Sequence, residues 1–320
     1  MPVADDWLKV IIEKQWANSR AWPDLIRIMR LAVSLDDDLT SGTGYSPSRL
    51  ARLPNLCCQA AGGEPQWADD LSTAWILFYA GADVMDSVQD QDTPDEWWGD
   101  AGSSTALSAA SGLYFSASQI LNNLFNNKEI AGDVSEVISE FYDQFLLMCS
   151  GQFRDIILVQ PSLEEYWRII EAKSGAFFKL ACWCGARLAT EDISTLEYIG
   201  VFGSHLGVIV QITDELEDVQ SPRGVGGIGQ RPELANSLPV IYALEVLPQT
   251  EQLELKEKLN SAPDDTTAAE AALEIIDNSG AALYLLSEME RHRSLGAEAL
   301  EKAVENSPAR DTLLAILNSI

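Results

Sequence analysis

Histidine is nearly absent from this 320-residue chain, which has only His205 and His292. That excludes a histidine-rich metal centre and argues against a His-based nucleophilic triad. Both histidines read as packing or surface residues, His292 flanked by Arg291 and Arg293. Cysteine is also scarce. Cys57, Cys58, Cys149, Cys182 and Cys184 are an odd number without metal-site spacing, as expected of buried thiols in a reducing cytoplasm. Positive charge is short as well: 21 Lys and Arg stand against 49 Asp and Glu, a formal net charge of −28. Such a surface repels phosphate backbones and anionic lipid, so no nucleic-acid partner is expected. No run reaches the roughly 18–20 apolar residues of a membrane span, and no basic segment precedes an apolar stretch near Met1, so neither a span nor a signal peptide is expected. Linkers, low-complexity tracts and fixed-period repeats are missing too, so residues 1–320 read as one domain.

What the chain does have is apolar material, 47% of residues, spaced almost everywhere at helical rather than alternating intervals. Helices are expected over 7–34 (broken near Pro23), 50–61, 69–90, 105–126, 132–150, 163–188, 191–219, 233–247, 250–260, 267–293 and 296–318. Loops are expected at 36–47, 91–104 and, rich in glycine and proline, 220–232. The fold class is all-α, a single-domain helical bundle.

Two acidic segments are placed where a solvated surface has no need of them. Asp86-Ser87-Val88-Gln89-Asp90-Gln91-Asp92 ends an otherwise apolar helix, and Asp86 and Asp90, four apart, share one helical face. Negative charge at a helix C-terminus opposes the macrodipole by roughly 0.3–1 kcal/mol, so a compensating cation is the natural reading. Gln211-Ile212-Thr213-Asp214-Glu215-Leu216-Glu217-Asp218 repeats the pattern, with Asp214 and Asp218 four apart before the glycine-rich segment. Mg²⁺ favours one or two carboxylates plus phosphate oxygens and water, so paired clusters suit a metal-bound diphosphate. Asp36-Asp37-Asp38 and Asp264-Asp265 are equally acidic but lack an apolar helix leading into them, and are set aside. Solvated helix ends remain the bland alternative for either cluster alone.

At these residues the chain resembles the trans-isoprenyl diphosphate synthases, the polyprenyl synthetase family. The 86–92 segment matches the family's DDxxD motif with Ser87 at the second position, and 211–218 matches QIxDDxxD with Glu215 for the second aspartate. Further matches follow in order: Gly151-Gln152 with Asp155, Lys173-Ser174-Gly175, and Ser237-Leu238-Pro239 with Ala243-Leu244. The resemblance spans roughly residues 45–290. It implies the isoprenoid-synthase fold with a central cavity, a homodimer, and an allylic prenyl diphosphate as substrate. It also implies three Mg²⁺ ions with the diphosphate, and metal ligation by Asp86, Asp90, Asp214 and Asp218. Lys173 would contact the diphosphate. Gln211 would bind or orient at the site, and Asp83 would lie at its rim. In this family bulky residues four and five before the first motif limit the isoprenoid tail; here they are Ala82 and Gly81, so Phe78 and Trp75 would floor a longer pocket, suiting tails of about fifteen carbons or more at 1.5 Å of helix per residue. Gly81 serving only close helix packing is the competing reading.

The departures cluster on one side. The segment that should hold isopentenyl diphosphate reads Ser46-Pro47-Ser48-Arg49-Leu50-Ala51-Arg52, without lysine, leaving Arg49 and Arg52 as candidates. Asp95-Glu96 replaces an Arg-Arg pair, Gln230-Arg231 stands near where a lysine is expected, and Asn236 replaces a second lysine. Three functions are therefore weighed. One is a prenyltransferase delivering an allylic cation to isopentenyl diphosphate or another acceptor. The second is a class I terpene cyclase. The third is a non-catalytic subunit that binds prenyl diphosphate or a catalytic partner.

Overall fold

The computed structural model describes residues 6–33, 50–89, 102–158, 161–220 and 236–320, with the backbone alone at Asp6 and at 217–220. Among the described residues there is helix and no strand, as the apolar periodicity requires. Contacts divide the chain into two compact units. The first comprises Met1–Phe141, Ala181–Gly200 and Leu300–Ile316, the second Tyr142–Leu180, Val201–Ala299 and Leu317–Ile320.

In the first unit, α1 (Asp6–Ala17) and α2 (Pro23–Val33) flank α4 (Asp69–Gln89) and α5 (Ser103–Leu121), the most intimately packed pair. Pro23 opens α2, the position where its missing N–H costs nothing. A short helix, α3 (Leu53–Ala60), precedes α4, and their mutual angle is fixed by Asn55. Its amide donates to Pro65 O (2.7 Å) and Asp69 Oδ1 (2.8 Å), and its carbonyl accepts from Ser72 Oγ at 2.6 Å. The core around α4 holds Trp75, Leu77, Phe78, Leu113 and Phe141, the last the final residue this unit takes from α6 (Val134–Ile157). Arg187, at the end of α8 (Ala176–Arg187), is buried yet satisfied by Glu136 Oε2 (2.6 Å) and Thr190 O (3.1 Å). An open recess of about 430 Å³ in this unit is lined by Leu124, Phe125, Ile130, Asp133 and Glu191, none of them an expected site residue.

In the second unit, α7 (Leu163–Ile170) starts from a capping box. Ser162 Oγ accepts from Glu165 N–H, and the Glu165 carboxylate accepts from Ser162 N–H at 3.1 Å. The chain then makes one π-turn, Glu171–Gly175, before α8 begins. The later part of α9 (Ile193–Gln220) and α10 (Leu238–Val246) complete the neighbourhood of the site. The helices α11 (Gln249–Ser261), α12 (Thr266–Asn278) and the start of α13 (Ala281–Ala303) pack through Leu255, Ala269, Ala272 and Ile276. The chain ends with α14 (Pro308–Ser319).

Two boundaries differ from expectation. The break lies at Gly280 (φ +83°), and α13 runs unbroken from 281 to 303, where a gap near 294 was expected. A left-handed glycine after Asn278-Ser279 is an ordinary helix stop. The other is α6, which continues through Gly151 to Ile157, seven residues past the expected end. One expectation about apolar runs also needs correction: Ile193–Leu216 is long and apolar enough to cross a membrane, with mean hydropathy 1.4. More than half of that window is buried within the protein, as in the core helix of a folded domain.

Candidate functional site

Asp86, the first acid of the first cluster, lies on the last turn of α4 in the first unit. Asp86 is half-buried and Asp83, one turn earlier, is exposed. Below them α4 packs on α5 through small residues, with Val84 against Ala106 and Ala110. Ala82 is half-buried and Gly81 is buried, and a Cβ on Gly81 would stand 2.7 Å from Tyr114 Cε1 and 3.2 Å from Ala110 O. The space beside Gly81 is thus taken by the Tyr114 ring, which stacks on Phe78 with centroids 5.3 Å apart; Phe78 in turn meets Phe141 at 4.9 Å. Close helix packing therefore accounts for the glycine. Tyr114, on a neighbouring helix, is a contact that the motif spacing does not flag. Arg52 is exposed and its charge acts on Asp69, at the far end of α4. Asp69 lies seventeen residues, roughly 25 Å of helix, from Asp86. Arg49 and Asp90 lie outside the described residues, as do 91–101 and Gln230-Arg231.

The second unit carries Lys173, Gln211 and Asp214. Lys173 falls on the π-turn, where the i→i+5 pattern redirects one turn of side chains, a distortion frequent at functional sites. Its Nζ is 2.7 Å from Asp155 Oδ2, so two of the motif residues, 18 positions apart, meet as an ion pair about a quarter exposed. The π-turn also has a backbone neighbour: a Cβ on Gly207 would lie 2.2 Å from Ser174 O, so α9 reaches it only because position 207 lacks a side chain. Ser174 Oγ donates to Gln211 Oε1 at 2.6 Å, and Gln211 Nε2 donates to Glu215 Oε1 at 3.1 Å. Both ends of the Gln211 amide are thereby used by protein partners, which also assigns its orientation.

Within the second acidic segment the acids divide. Asp214 is exposed, whereas Glu215 is buried. Besides Gln211, Glu215 accepts from Tyr166 OH (3.0 Å, to Oε1) and from Leu238 N–H (2.5 Å, to Oε2). Burial pushes its carboxyl up to about 7, while the bonds from Leu238, Gln211 and Tyr166 pull the other way. The Leu238 bond replaces an expected cap. Ser237 stands at the N-cap of α10 but makes no side-chain cap, and among the described residues its buried Oγ has no partner. The side chain of Asp218 is not described.

The two histidines lie in the same unit, His205 on α9 ahead of Gln211 and His292 on α13. Their Nδ1 atoms are 2.9 Å apart, the His292 ring stacks on Trp167, and Arg291 reaches His292 Nε2 at 3.0 Å. Burial, with the neighbouring charges, lowers His292 to about 4 and lowers His205 too. Packing is their role, as expected.

Among the described residues no three His, Cys, Asp or Glu side chains converge as a metal cage. Within each unit the acid that is described, half-buried Asp86 in the first and exposed Asp214 in the second, has the chemistry of a Mg²⁺ ligand. That ion takes few protein carboxylates and fills its sphere with water and phosphate oxygens.

Comparison with known proteins agrees with this picture. Residues 62–276 match the polyprenyl synthetase family model. A geranylgeranyl diphosphate synthase of Mycobacterium tuberculosis is 28% identical over 207 residues, 61% of this chain and 57% of that protein. The tryptophan prenyltransferase ComQ of Bacillus subtilis subsp. natto is 27% identical over 145 residues, 45% of this chain and 43% of that protein. The chain thus spans about half the length of these relatives. The geranylgeranyl pyrophosphate synthetase structure from Geoglobus acetivorans superposes with TM-score 0.78 at 20% identity, covering 98% of this chain and 97% of that one. A polyprenyl synthase of Caulobacter crescentus, complexed with calcium and isoprenyl diphosphate, gives 0.74 at 17% identity, covering 98% and 96%. With an all-helical fold shared end to end and two-thirds of its length matched, this chain belongs to the polyprenyl synthetase family.

Proposed function

We propose that this protein is a Mg²⁺-dependent prenyltransferase that ionises an allylic prenyl diphosphate and passes the prenyl cation to an acceptor. The observation that carries the reading is the pair of acidic segments ending two long apolar helices, in a family member whose motif lysine sits on a π-turn. Asp86 and Asp90 in one segment, and Asp214 and Asp218 in the other, would hold three Mg²⁺ ions with the diphosphate. Bound there, the metal supplies Lewis-acid neutralisation of the departing diphosphate. Lys173 adds a positive charge to the same anion, and Ser174, Gln211 and Asp155 hold that lysine's turn in place. Ala82 lines the start of the tail path along α4, with Gly81 and Phe78 on the same stretch closed by Tyr114. Residues 1–320 act as one domain in this reading, supported by structural neighbours matched over 98% of the chain.

A specific observation favours an acceptor other than isopentenyl diphosphate. Arg52 is exposed at the Asp69 end of α4, far along the helix from Asp86, and the lysines expected to bind a second diphosphate are replaced. The likeness to a tryptophan prenyltransferase points the same way. A class I cyclase is the runner-up.

The assignment is also for a homodimer in the cytoplasm. Support for the dimer comes from α6, where Tyr142, Leu146, Cys149, Phe153 and Ile156 follow one another at alternating spacings of four and three, all exposed. An apolar stripe at heptad spacing is the surface a second helix covers.

Purified protein would be mixed with Mg²⁺ and ten-, fifteen- or twenty-carbon allylic diphosphates, with and without isopentenyl diphosphate, while diphosphate release and products are followed. Release that is lost in Asp86→Ala and Asp214→Ala supports the proposal; undiminished release in those variants sinks it. Elongated products would identify isopentenyl diphosphate as the acceptor. Hydrocarbon or alcohol formed without it would favour the cyclase.

A further inference from the structure

Glu215 occupies an acidic-motif position, yet its surroundings are those of an anchor. Three donors aim at it: Tyr166 OH and Gln211 Nε2 at one oxygen, Leu238 N–H at the other. A carboxylate, all acceptor, is the only side chain of that length that satisfies three donors together. The three come from different elements, α7, α9 and α10, so one buried group ties them together. From Gln211 the chain of bonds runs on to Ser174, next to Lys173, whose ammonium is held by Asp155. Tyr166 itself sits at the middle of α7, directly before the π-turn that carries Lys173. Both routes from Glu215, through Gln211 and through Tyr166, therefore end at the same turn.

We infer that Glu215 is a positioning residue for Lys173, and that it binds no metal although its two sequence neighbours of the motif, Asp214 and Asp218, are proposed to. The inference rests on the prenyltransferase reading for its kinetic consequence. In Glu215→Gln the amide offers one acceptor oxygen and turns a donor toward either Leu238 N–H or the Tyr166–Gln211 pair. A turn that no longer holds Lys173 in register binds the diphosphate more weakly, and the loss is larger in the transition state, where negative charge on the departing diphosphate grows.

The test compares Glu215→Gln, Tyr166→Phe and Asp214→Asn with the native enzyme in Mg²⁺ titrations and in kinetics with an allylic diphosphate. Glu215→Gln is expected to raise KM and lower kcat, each about threefold, so that kcat/KM falls about tenfold, on the scale of one lost buried hydrogen bond. Its half-saturating Mg²⁺ concentration should stay native, while that of Asp214→Asn rises. Tyr166→Phe, which removes one donor and keeps the ring, should move KM in the same direction by a smaller factor. A variant that simply lost folded protein would lower kcat and leave KM unchanged. A rise in the Mg²⁺ requirement of Glu215→Gln matching that of Asp214→Asn overturns the inference by making Glu215 a ligand. Native KM in both Glu215→Gln and Tyr166→Phe overturns it as well, and if Glu215→Gln does not fold, Tyr166→Phe alone decides. Native protein that releases no diphosphate from any allylic substrate would instead refute the prenyltransferase reading.

Discussion

Lys173 and Asp155 show how far a motif can be read by itself. The spacing of the two residues in sequence says nothing of their distance, yet they meet at 2.7 Å because α6 and the π-turn run side by side, with Gly151 close against Lys173. Lys173→Ala should raise KM for an allylic diphosphate at least about tenfold, the scale of a lost charge-assisted contact, and Lys173→Arg should recover only part of it because the guanidinium fork is a different shape. Steady-state kinetics decide; an unchanged KM in Lys173→Ala removes the lysine from the site. The histidine pair gives a second residue-level expectation. His292 protonates near 6.5 when unfolded and near 4 when folded, because burial disfavours its charge beside His205 and Arg291. Between those values the unfolded chain binds the extra proton, so stability is full above pH 6.5 and declines as pH falls toward 4, by on the order of 3 kcal/mol from this residue. Melting curves at pH 7 and 4.5 should show the loss, and His292→Phe should flatten it. A pH-independent midpoint in the native protein would count against the buried neutral pair.

At the scale of elements, the sequence announces helices well and their irregularities poorly. Pro23, the Ser162–Glu165 box and the apolar run before Asp86 are local signals, and each lies where an α-helix begins or where expected. The π-turn at Glu171–Gly175 has no such signal, since Lys-Ser-Gly is compatible with ordinary helix; its close neighbour α9 is visible only once Gly207 is seen against Ser174 O. Likewise Glu215 looks like one more acid until α7 and α10 supply its donors. Long-range neighbours, absent from any local pattern, made these differences. Gly207→Ala tests the approach directly. The added methyl must push α9 off the π-turn, costing about 1–3 kcal/mol or more and raising KM for the diphosphate together with lowering the melting temperature. Full activity and native stability in Gly207→Ala would mean the π-turn does not depend on that contact.

For the molecule as a whole, a net charge of −28 keeps copies apart, so association has to come from a dedicated apolar surface. The stripe on α6 is the surface proposed for it, with Leu146 67% and Phe153 63% exposed. Leu146→Glu and Phe153→Glu should each convert a dimer to monomer in size-exclusion chromatography with light scattering, and added salt should strengthen the native dimer by screening the repulsion. Monomeric native protein at micromolar concentration would dismiss the stripe as an interface.

The Lys173–Asp155 pair has one more consequence. A lysine already matched to a carboxylate does not wait as a bare charge; in the proposed prenyltransferase an incoming diphosphate would have to win it by exchange, and the displaced Asp155 would then need a cation or a proton of its own. Binding becomes a swap of partners rather than a simple neutralisation. Weak anions such as prenyl monophosphates or carboxylates would gain little from that trade, so in the proposed reading the resting ion pair would act as a threshold favouring ligands of high charge density that arrive with their metal.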